Sequence, residues 1–237
     1  MRDSTFGRVL PAEHRVITSL YLAVVRTLYS VGFYEGRNER YASIVRSLVG
    51  SSLQEGRLVV DLGCGPGGIT ALLGGSHVLL GVDSDRYYLT RFVEPRIQRI
   101  QARAEHLPLR SNCVDVFLAI SLVEHIANQS AFFEELSRVL KPGGILVLQV
   151  PELRFPIEPH TKWPLLHIWN PSIQARILSA TGYEDLNMST TIPKVKQLAE
   201  AAGLRVQKLI PLKHFRLAII VRLAMGYFIA FTRVRHA

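Results

Sequence analysis

Short apolar runs alternate with amphipathic segments through the middle of the chain, and this alternation constrains the fold more than any other feature. Strands are expected at 57–62, 77–82, 97–101, 114–121, 145–150, 204–210 and 227–234, and helices at 16–29, 41–48, 69–73, 86–92, 131–140, 171–182 and 191–202. Buried strands separated by helices are typical of a parallel sheet covered on both faces. The sequence therefore predicts an α/β fold, which binds ligands at the carboxyl ends of its strands.

The composition excludes several other classes of protein. Of the 237 residues, 48% are apolar, which excludes a disordered chain. The two cysteines, Cys64 and Cys113, are too few for a disulfide scaffold or a cysteine-rich zinc module, and they favour a reducing compartment. The spacing of His and Glu residues matches no metal-binding motif, so no metal is predicted.

A glycine-rich turn follows the first predicted strand. Gly63, Gly65 and Gly68 fit the pattern GxGxxG, and Asp83 ends the second predicted strand twenty residues after Gly63. An acidic residue at this separation can accept hydrogen bonds from both hydroxyl groups of a ribose. The two features together predict a cofactor that carries an unphosphorylated ribose.

Asp61 distinguishes between two such cofactors. NAD would place its pyrophosphate at this turn, where backbone N–H groups and the helix dipole favour anions. A carboxylate two residues before Gly63 opposes an anion there, but it favours the ammonium and sulfonium groups of S-adenosylmethionine. The sequence therefore favours S-adenosylmethionine, and an NAD-dependent oxidoreductase remains an alternative.

The motifs taken together resemble those of the class I S-adenosylmethionine-dependent methyltransferases. The segments that carry the resemblance are 60–67 (VDLGCGPG), 81–84 (GVDS), 104–109 (AEHLPL), 114–116 (VDV), 123–126 (VEHI) and 138–144 (RVLKPGG). They are most similar to the subfamily that includes ubiquinone and menaquinone methyltransferases. The resemblance implies a Rossmann-like three-layer sandwich with a seven-stranded, mostly parallel sheet and an antiparallel last strand.

The resemblance also implies a role for each motif residue. The methionine part of the cofactor would contact the turn, the ribose would contact the end of the second strand, and the adenine would lie beside the loop at 104–105. The cofactor-binding residues are then Asp61, Gly63, Cys64, Gly65, Pro66, Gly67, Asp83, Ser84, Ala104, Glu105 and Ser121. Arg103 departs from the family, which usually has an Asp there to accept from the adenine amino group. Because Arg has no acceptor, either Glu105 or backbone groups would make that contact.

Two histidines are candidates for a catalytic base. His125 follows the fourth predicted strand, and His160 lies in a long connection after the fifth. Methyl transfer depends largely on the alignment of donor and acceptor, but a carbon or oxygen acceptor also needs a base. Either histidine could instead be structural. The expected organisation is an N-terminal helical cap at 1–50 and a methyltransferase domain at 51–237, with a substrate lid at 151–190.

The acceptor is inferred from composition. Aromatic residues of the cap, Trp163 and Trp169 of the lid and a mean hydropathy of +0.18 suggest a small apolar or lipid-like acceptor. The net charge of +9 and the basic C-terminal region suggest a cytoplasmic protein in peripheral contact with a membrane surface. Two alternatives remain, namely an RNA methyltransferase that uses the arginine clusters and a non-catalytic S-adenosylmethionine-binding subunit of a larger complex.

Overall fold

A computed structural model describes residues 36–74, 77–91, 97–161, 163, 165–212 and 224–234. The predicted helix 16–29 lies outside these residues, as do most aromatic residues of the predicted cap (Tyr21, Tyr29, Phe33 and Tyr34) and four of the C-terminal basic residues (Lys213, Arg216, Arg222 and Arg235). Within the described ranges, no helix has both the length and the apolar character needed to cross a bilayer.

The sheet has seven strands in the order β3-β2-β1-β4-β5-β7-β6. The strands are β1 (Leu58–Leu62), β2 (Val78–Asp83), β3 (Gln98–Gln101), β4 (Val114–Ile120), β5 (Leu140–Pro151), β6 (Leu204–Leu212) and β7 (Gly226–Arg233). Strands β1 to β5 pair in parallel, and β7 runs antiparallel to both β5 and β6. This topology confirms the predicted mostly parallel sheet with an antiparallel last strand.

Side-chain caps set the ends of several helices. The helices are α1 (Arg37–Val49), α2 (Arg86–Leu89), α3 (Gln129–Val139), α4 (Pro171–Thr181) and α5 (Ile192–Ala201). The side chains of Asn128, Asn170 and Thr191 accept hydrogen bonds from backbone N–H groups at the starts of α3, α4 and α5. Gly182 ends α4 in the left-handed conformation, at φ 77°.

Each face of the sheet is covered by helices. On one face α1 packs against strand residues that include Val59, Val116, Val147 and Phe228. On the other face α3 and α5 cover alternate residues of the same strands, such as Val60 and Phe117. Although α1 lies within the segment predicted as a cap, it contributes buried residues to the core of the sandwich.

Several predicted boundaries were wrong. The predicted helix 69–73 is only a short 3₁₀ turn at Thr70–Leu72, and α1 begins four residues before the predicted helix 41–48. Residues 141–144 were expected to form a turn between α3 and β5, but β5 begins at Leu140 and continues through them. Leu140 already pairs with Val114, and the register between β4 and β5 shifts before Val116, so the extra residues form an irregularity within the strand. The predicted helix 86–92 is also shorter, since α2 ends at Leu89.

Candidate active site

The glycine turn after β1 requires glycine at its first position. Gly63 has a φ of 63°, and a Cβ atom there would lie 2.9 Å from Cδ1 of Leu122. Such an approach is closer than real Cβ contacts allow, so a side chain at position 63 would displace the end of the Leu122 side chain, and the positive φ would strain it in any case. Gly65 and Gly67 also have positive φ values, of 52° and 80°.

Asp83 ends β2 with its carboxylate directed at two loops. Oδ2 accepts a hydrogen bond from the backbone N–H of Gly65, and Oδ1 accepts one from Asp85, both at 2.9 Å. Each oxygen has a second lone pair. The carboxylate can therefore accept two further hydrogen bonds from a ligand while the protein holds it in place.

A cavity of about 570 Å³ opens at the carboxyl ends of β1, β2 and β4. Seven residues predicted from the sequence line it, namely Gly63, Asp83, Ser84, Ala104, Glu105, Ser121 and His125. Five others, namely Asp61, Cys64, Gly65, Pro66 and Gly67, belong to β1 or the turn but do not contribute to the cavity wall. The position of the cavity agrees with the rule for parallel sheets.

Asp61 is buried beneath the glycine turn. Its side chain is 4% exposed, and the hydroxyl group of Thr70 donates a hydrogen bond to its Oδ2. Burial is the main reason why the pKa of Asp61 is raised to about 7. The hydrogen bond from Thr70 lowers this pKa, and the charge of Asp83 raises it further. A cation brought near this carboxyl group would favour its ionised form.

Arg103 forms an ion pair with Glu105 at the edge of the cavity. Nη2 of Arg103 lies 2.9 Å from Oε1 of Glu105, and the arginine side chain is 68% exposed. Burial raises the pKa of Glu105 and is the largest single influence on it. The hydrogen bond and charge of Arg103, a backbone hydrogen bond and the charge of His106 together outweigh burial and hold that pKa below its usual range. Glu105 is therefore a carboxylate with one oxygen engaged by Arg103, so its other oxygen remains the candidate acceptor for the adenine amino group.

A second cavity of about 230 Å³ adjoins the first. Ser121 and Tyr183 contribute to the walls of both. Ser121 has a φ of 52°, an uncommon conformation for serine. Gln149 holds it there, because the Ser121 hydroxyl group donates to the Gln149 side chain and the Ser121 backbone N–H donates to the Gln149 carbonyl oxygen. The junction between the cavities is thus built on a fixed backbone.

The two predicted catalytic histidines lie side by side at this junction. Their ring centroids are 5.3 Å apart, and His125 contributes to the first cavity while His160 contributes to the second. Nδ1 of His160 lies 2.7 Å from Oε1 of Glu158. Burial lowers the pKa of His160, but Glu124 and Glu158 together raise it to about 9.

Sequence reasoning missed several residues of the two cavities. Tyr88 of α2 and Leu122 after β4 line the first cavity, and Gly182, Tyr183 and Asp185 close it from the far end of the predicted lid. In this last segment the sequence offered one signal, Gly182, and it predicted the end of a helix rather than a cavity wall. The contribution of these side chains depends on which segments meet in space, which periodicity does not specify.

The sequence and the fold both match known methyltransferases. Residues 60–148 match the methyltransferase domain family. These residues form the core of a class I S-adenosylmethionine-dependent methyltransferase domain. They extend from β1 to β5 and contain the glycine turn, Asp83 and His125, so they line most of the first cavity, which Gly182, Tyr183 and Asp185 complete.

Individual relatives of the methyltransferase domain have different names. The chain is 29% identical over 136 residues to a probable S-adenosylmethionine-dependent methyltransferase of Mycolicibacterium smegmatis, covering 54% of this chain and 52% of the relative. It is 35% identical over 104 residues to trans-aconitate 2-methyltransferase of Azoarcus, covering 42% and 41%. The chain thus spans about half or less of the length of these relatives.

A solved structure has the same fold at low sequence identity. Phosphoethanolamine N-methyltransferase 2 of Haemonchus contortus, in complex with S-adenosylmethionine, superposes with a TM-score of 0.61 at 14% identity. The match covers 83% of this chain and 53% of that one. At this identity the likeness concerns the fold alone.

The first cavity of the methyltransferase domain suits S-adenosylmethionine. It exposes the carboxyl group of Asp83 for a ribose, and the absent side chain of Gly63 leaves room where the turn meets Leu122. Its volume of about 570 Å³ falls within the range of small-molecule sites. The buried carboxyl group of Asp61, beneath the turn, suits a cofactor that carries positive charge.

Proposed function

We propose that this protein transfers the methyl group of S-adenosylmethionine to a small acceptor bound in the second cavity. The observation that carries the proposal is the shared wall, because Ser121 and Tyr183 belong to both cavities. When bound, S-adenosylmethionine supplies an electrophilic methyl group on a sulfonium. A donor in the first cavity and an acceptor in the second would meet at Ser121.

The cofactor would be held by residues of β1, β2 and the loop after β3. Asp83 accepts hydrogen bonds from the ribose hydroxyl groups, and Glu105 accepts one from the adenine amino group. The glycine turn above Asp61 holds the methionine part. The positions of Asp83 and Glu105 on the wall of the first cavity support their roles. The role of the turn is the one predicted from the sequence, and only Gly63 of that turn lines the cavity.

The wall of the second cavity supports a small, partly apolar acceptor. Tyr41, Leu212 and Met225 provide apolar surface, whereas Gln149 and His160 provide polar groups. A volume of about 230 Å³ is below the usual range of roughly 300 to 1,000 Å³ for ligand pockets. The cavity therefore suits a small acceptor, or the reacting end of a lipid-like one, with a polar group near His160.

Alignment supplies much of the rate in this proposal. Gln149 fixes Ser121 by two hydrogen bonds, so the junction does not need to reorganise when donor and acceptor bind. An acceptor oxygen or carbon that carries a proton must also lose it, and His160 on the wall of the second cavity is the candidate base. Because its pKa is raised to about 9, it would accept that proton efficiently only at alkaline pH. His125 faces the donor side of the same junction.

The proposal is tested by filling the second cavity while leaving the first unchanged. Leu212 lines only the second cavity, so Leu212→Trp should block the acceptor and leave the affinity for S-adenosylhomocysteine within about twofold. Turnover is followed as release of S-adenosylhomocysteine with a polyprenyl hydroquinone, a fatty acid or total tRNA as acceptor. The matched control is Leu209→Trp on the same strand, where the side chain is 42% exposed.

We expect turnover with the hydroquinone or the fatty acid, its loss in Leu212→Trp and its retention in Leu209→Trp. Turnover with tRNA alone would favour the RNA methyltransferase instead. Binding of S-adenosylhomocysteine without turnover on any acceptor would favour a non-catalytic subunit. Equal turnover in the two tryptophan variants would contradict the placement of the acceptor.

A further inference from the structure

Three potential metal ligands converge at the junction of the two cavities. Glu124, His125 and His160 each offer one ligand atom, and these atoms lie within 4.8 Å of one another. Glu124 and His125 come from the turn after β4, whereas His160 comes from the connection after β5. Two imidazoles and one carboxylate are a ligand set that Zn²⁺ and similar divalent ions accept.

The carboxylate of Glu124 is the first independent indication of a ligand. Its side chain is fully buried, and neither oxygen has a hydrogen-bond partner among the described residues. The nearest cationic group is Nε2 of His160, which lies 3.6 Å from Oε1, beyond hydrogen-bond distance. A buried carboxylate without hydrogen bonds is costly, and a bound cation would offset that cost.

The orientation of both histidines is the second indication. Nδ1 of His160 lies 2.7 Å from Glu158, and Nδ1 of His125 lies 2.9 Å from Asp185. A carboxylate that accepts from Nδ1 fixes the orientation of the ring and directs Nε2 towards the metal. Binding of the metal at Nε2 of His160 must displace the proton that the two carboxylates favour there. Metal-ligating histidines almost always have such a partner on the other nitrogen.

We propose that Glu124, His125 and His160 bind a single Zn²⁺ or similar first-row divalent cation between the two cavities. Ligands of a tetrahedral zinc ion lie roughly 3.3 Å apart, so the three side chains must close in by rotation. Glu158 and Asp185 would act as the outer partners. Three protein ligands leave a fourth position open, which is typical of catalytic sites.

The open position suggests a function for the ion. His160 contributes to the second cavity, so an acceptor there could bind the ion through a hydroxyl or carboxylate oxygen. A metal ion lowers the pKa of a bound hydroxyl group and orients its oxygen. This last step rests on the proposed methyl transfer, whereas binding of the metal does not.

Metal binding is measured directly on the full chain after treatment with a chelator. Calorimetric titration with Zn²⁺ should give one site per chain, and Co²⁺ should give the visible absorption of a tetrahedral or five-coordinate site that Zn²⁺ then abolishes. Glu124→Gln and His125→Gln should each weaken binding at least tenfold. His106→Gln, which replaces an exposed histidine outside the cluster, should bind like the wild type.

Asp185→Asn guards against a failure to fold, because the Asp185 side chain is 63% exposed and contacts the metal cluster through Nδ1 of His125. We expect it to weaken Zn²⁺ binding by about tenfold, with an unchanged melting temperature. The proposal is overturned if the wild type binds no Zn²⁺, or if Glu124→Gln, His125→Gln and Asp185→Asn all bind it as tightly as His106→Gln does. Neither result bears on the binding of S-adenosylhomocysteine, which separately tests the proposed function.

Discussion

Gly65 donates its backbone N–H to Oδ2 of Asp83 at 2.9 Å, so the glycine turn after β1 is tied directly to the end of β2. The backbone N–H of Asp85 donates to the other oxygen of the same carboxylate. The acid assigned to the ribose is therefore held from two sides before any ligand binds. Because the Asp83 carboxylate is already held in place, a ligand loses little free energy in ordering that side chain when it binds.

Replacement of Asp83 by asparagine should weaken cofactor binding strongly. Hydrogen bonds to a charged group contribute about 1.5 to 3 kcal/mol each, so loss of the charge should raise the Kd for S-adenosylhomocysteine at least tenfold. Isothermal titration calorimetry measures this change. Asp85→Asn is the matched control, because Asp85 caps α2 by accepting from Tyr87 and does not line the cavity. Equal losses in both variants would contradict the role of Asp83.

Alanine at Gly63 should destabilise the protein more than alanine at Gly74. Both glycines have nearly the same φ, 63° and 62°, but only at Gly63 would a Cβ meet another group, namely Leu122. Backbone strain alone should cost about 1 kcal/mol, and the contact should add about 1 to 3 kcal/mol. The free energies of unfolding of Gly63→Ala and Gly74→Ala are measured by urea unfolding. Gly63→Ala combined with Leu122→Ala should cost less than the sum of the single changes, and simple additivity would argue against the contact.

The buried carboxyl group of Asp61 should make the stability of the ligand-free protein depend on pH. Its pKa is raised from 3.8 to about 7 in the folded state. Between these values the folded state keeps a proton that the unfolded state releases, so this contribution to stability falls as pH rises from about 4 to 7. Across that range the free energy of unfolding should fall by about 1.4 kcal/mol per pH unit on account of this group.

Asp61→Asn removes this titration. The difference in free energy of unfolding between the variant and the wild type should therefore favour the variant more at pH 8 than at pH 5. Urea unfolding of both proteins at the two pH values gives the comparison. Asp85→Asn, which changes an exposed carboxylate, should leave the pH dependence of the wild type in place. Identical pH dependence in wild type and Asp61→Asn would show that Asp61 is ionised in the folded state.

Glu105 should matter more for cofactor binding than its partner Arg103. The Arg103 side chain is 68% exposed and offers no acceptor, so Arg103→Ala should change the Kd for S-adenosylhomocysteine less than about threefold. Glu105→Gln exchanges a charged acceptor on the cavity wall for a neutral one and should raise that Kd about tenfold. The reverse order would mean that backbone groups, rather than Glu105, bind the adenine amino group.

The fold could be predicted almost completely from the sequence, because its main signals are local. The glycine turn at Gly63, the strand-ending Asp83 and the cap at Asn170 act over a few residues. The strand start at Leu140 was missed because it depends on pairing with Val114. The register between two strands that are distant along the chain leaves no periodic pattern in the sequence of either strand.

The candidate site could be predicted only in part, for the same physical reason. His125 and His160 were identified separately from their positions after two strands. Their approach to 5.3 Å, and the burial of Glu124 beside them, depend on how the connection after β5 folds over the end of β4. A pattern of residue types does not specify that approach.

The placement of β7 has a consequence for synthesis of the chain. This strand lies between β5 and β6 in the sheet but follows both along the chain. Until residues 226–233 leave the ribosome, β5 has a free edge of backbone N–H and C=O groups along its apolar centre at 145–148. Such an edge can pair with other nascent chains. The apolar centre of the sheet is therefore most exposed to aggregation just before β7 inserts.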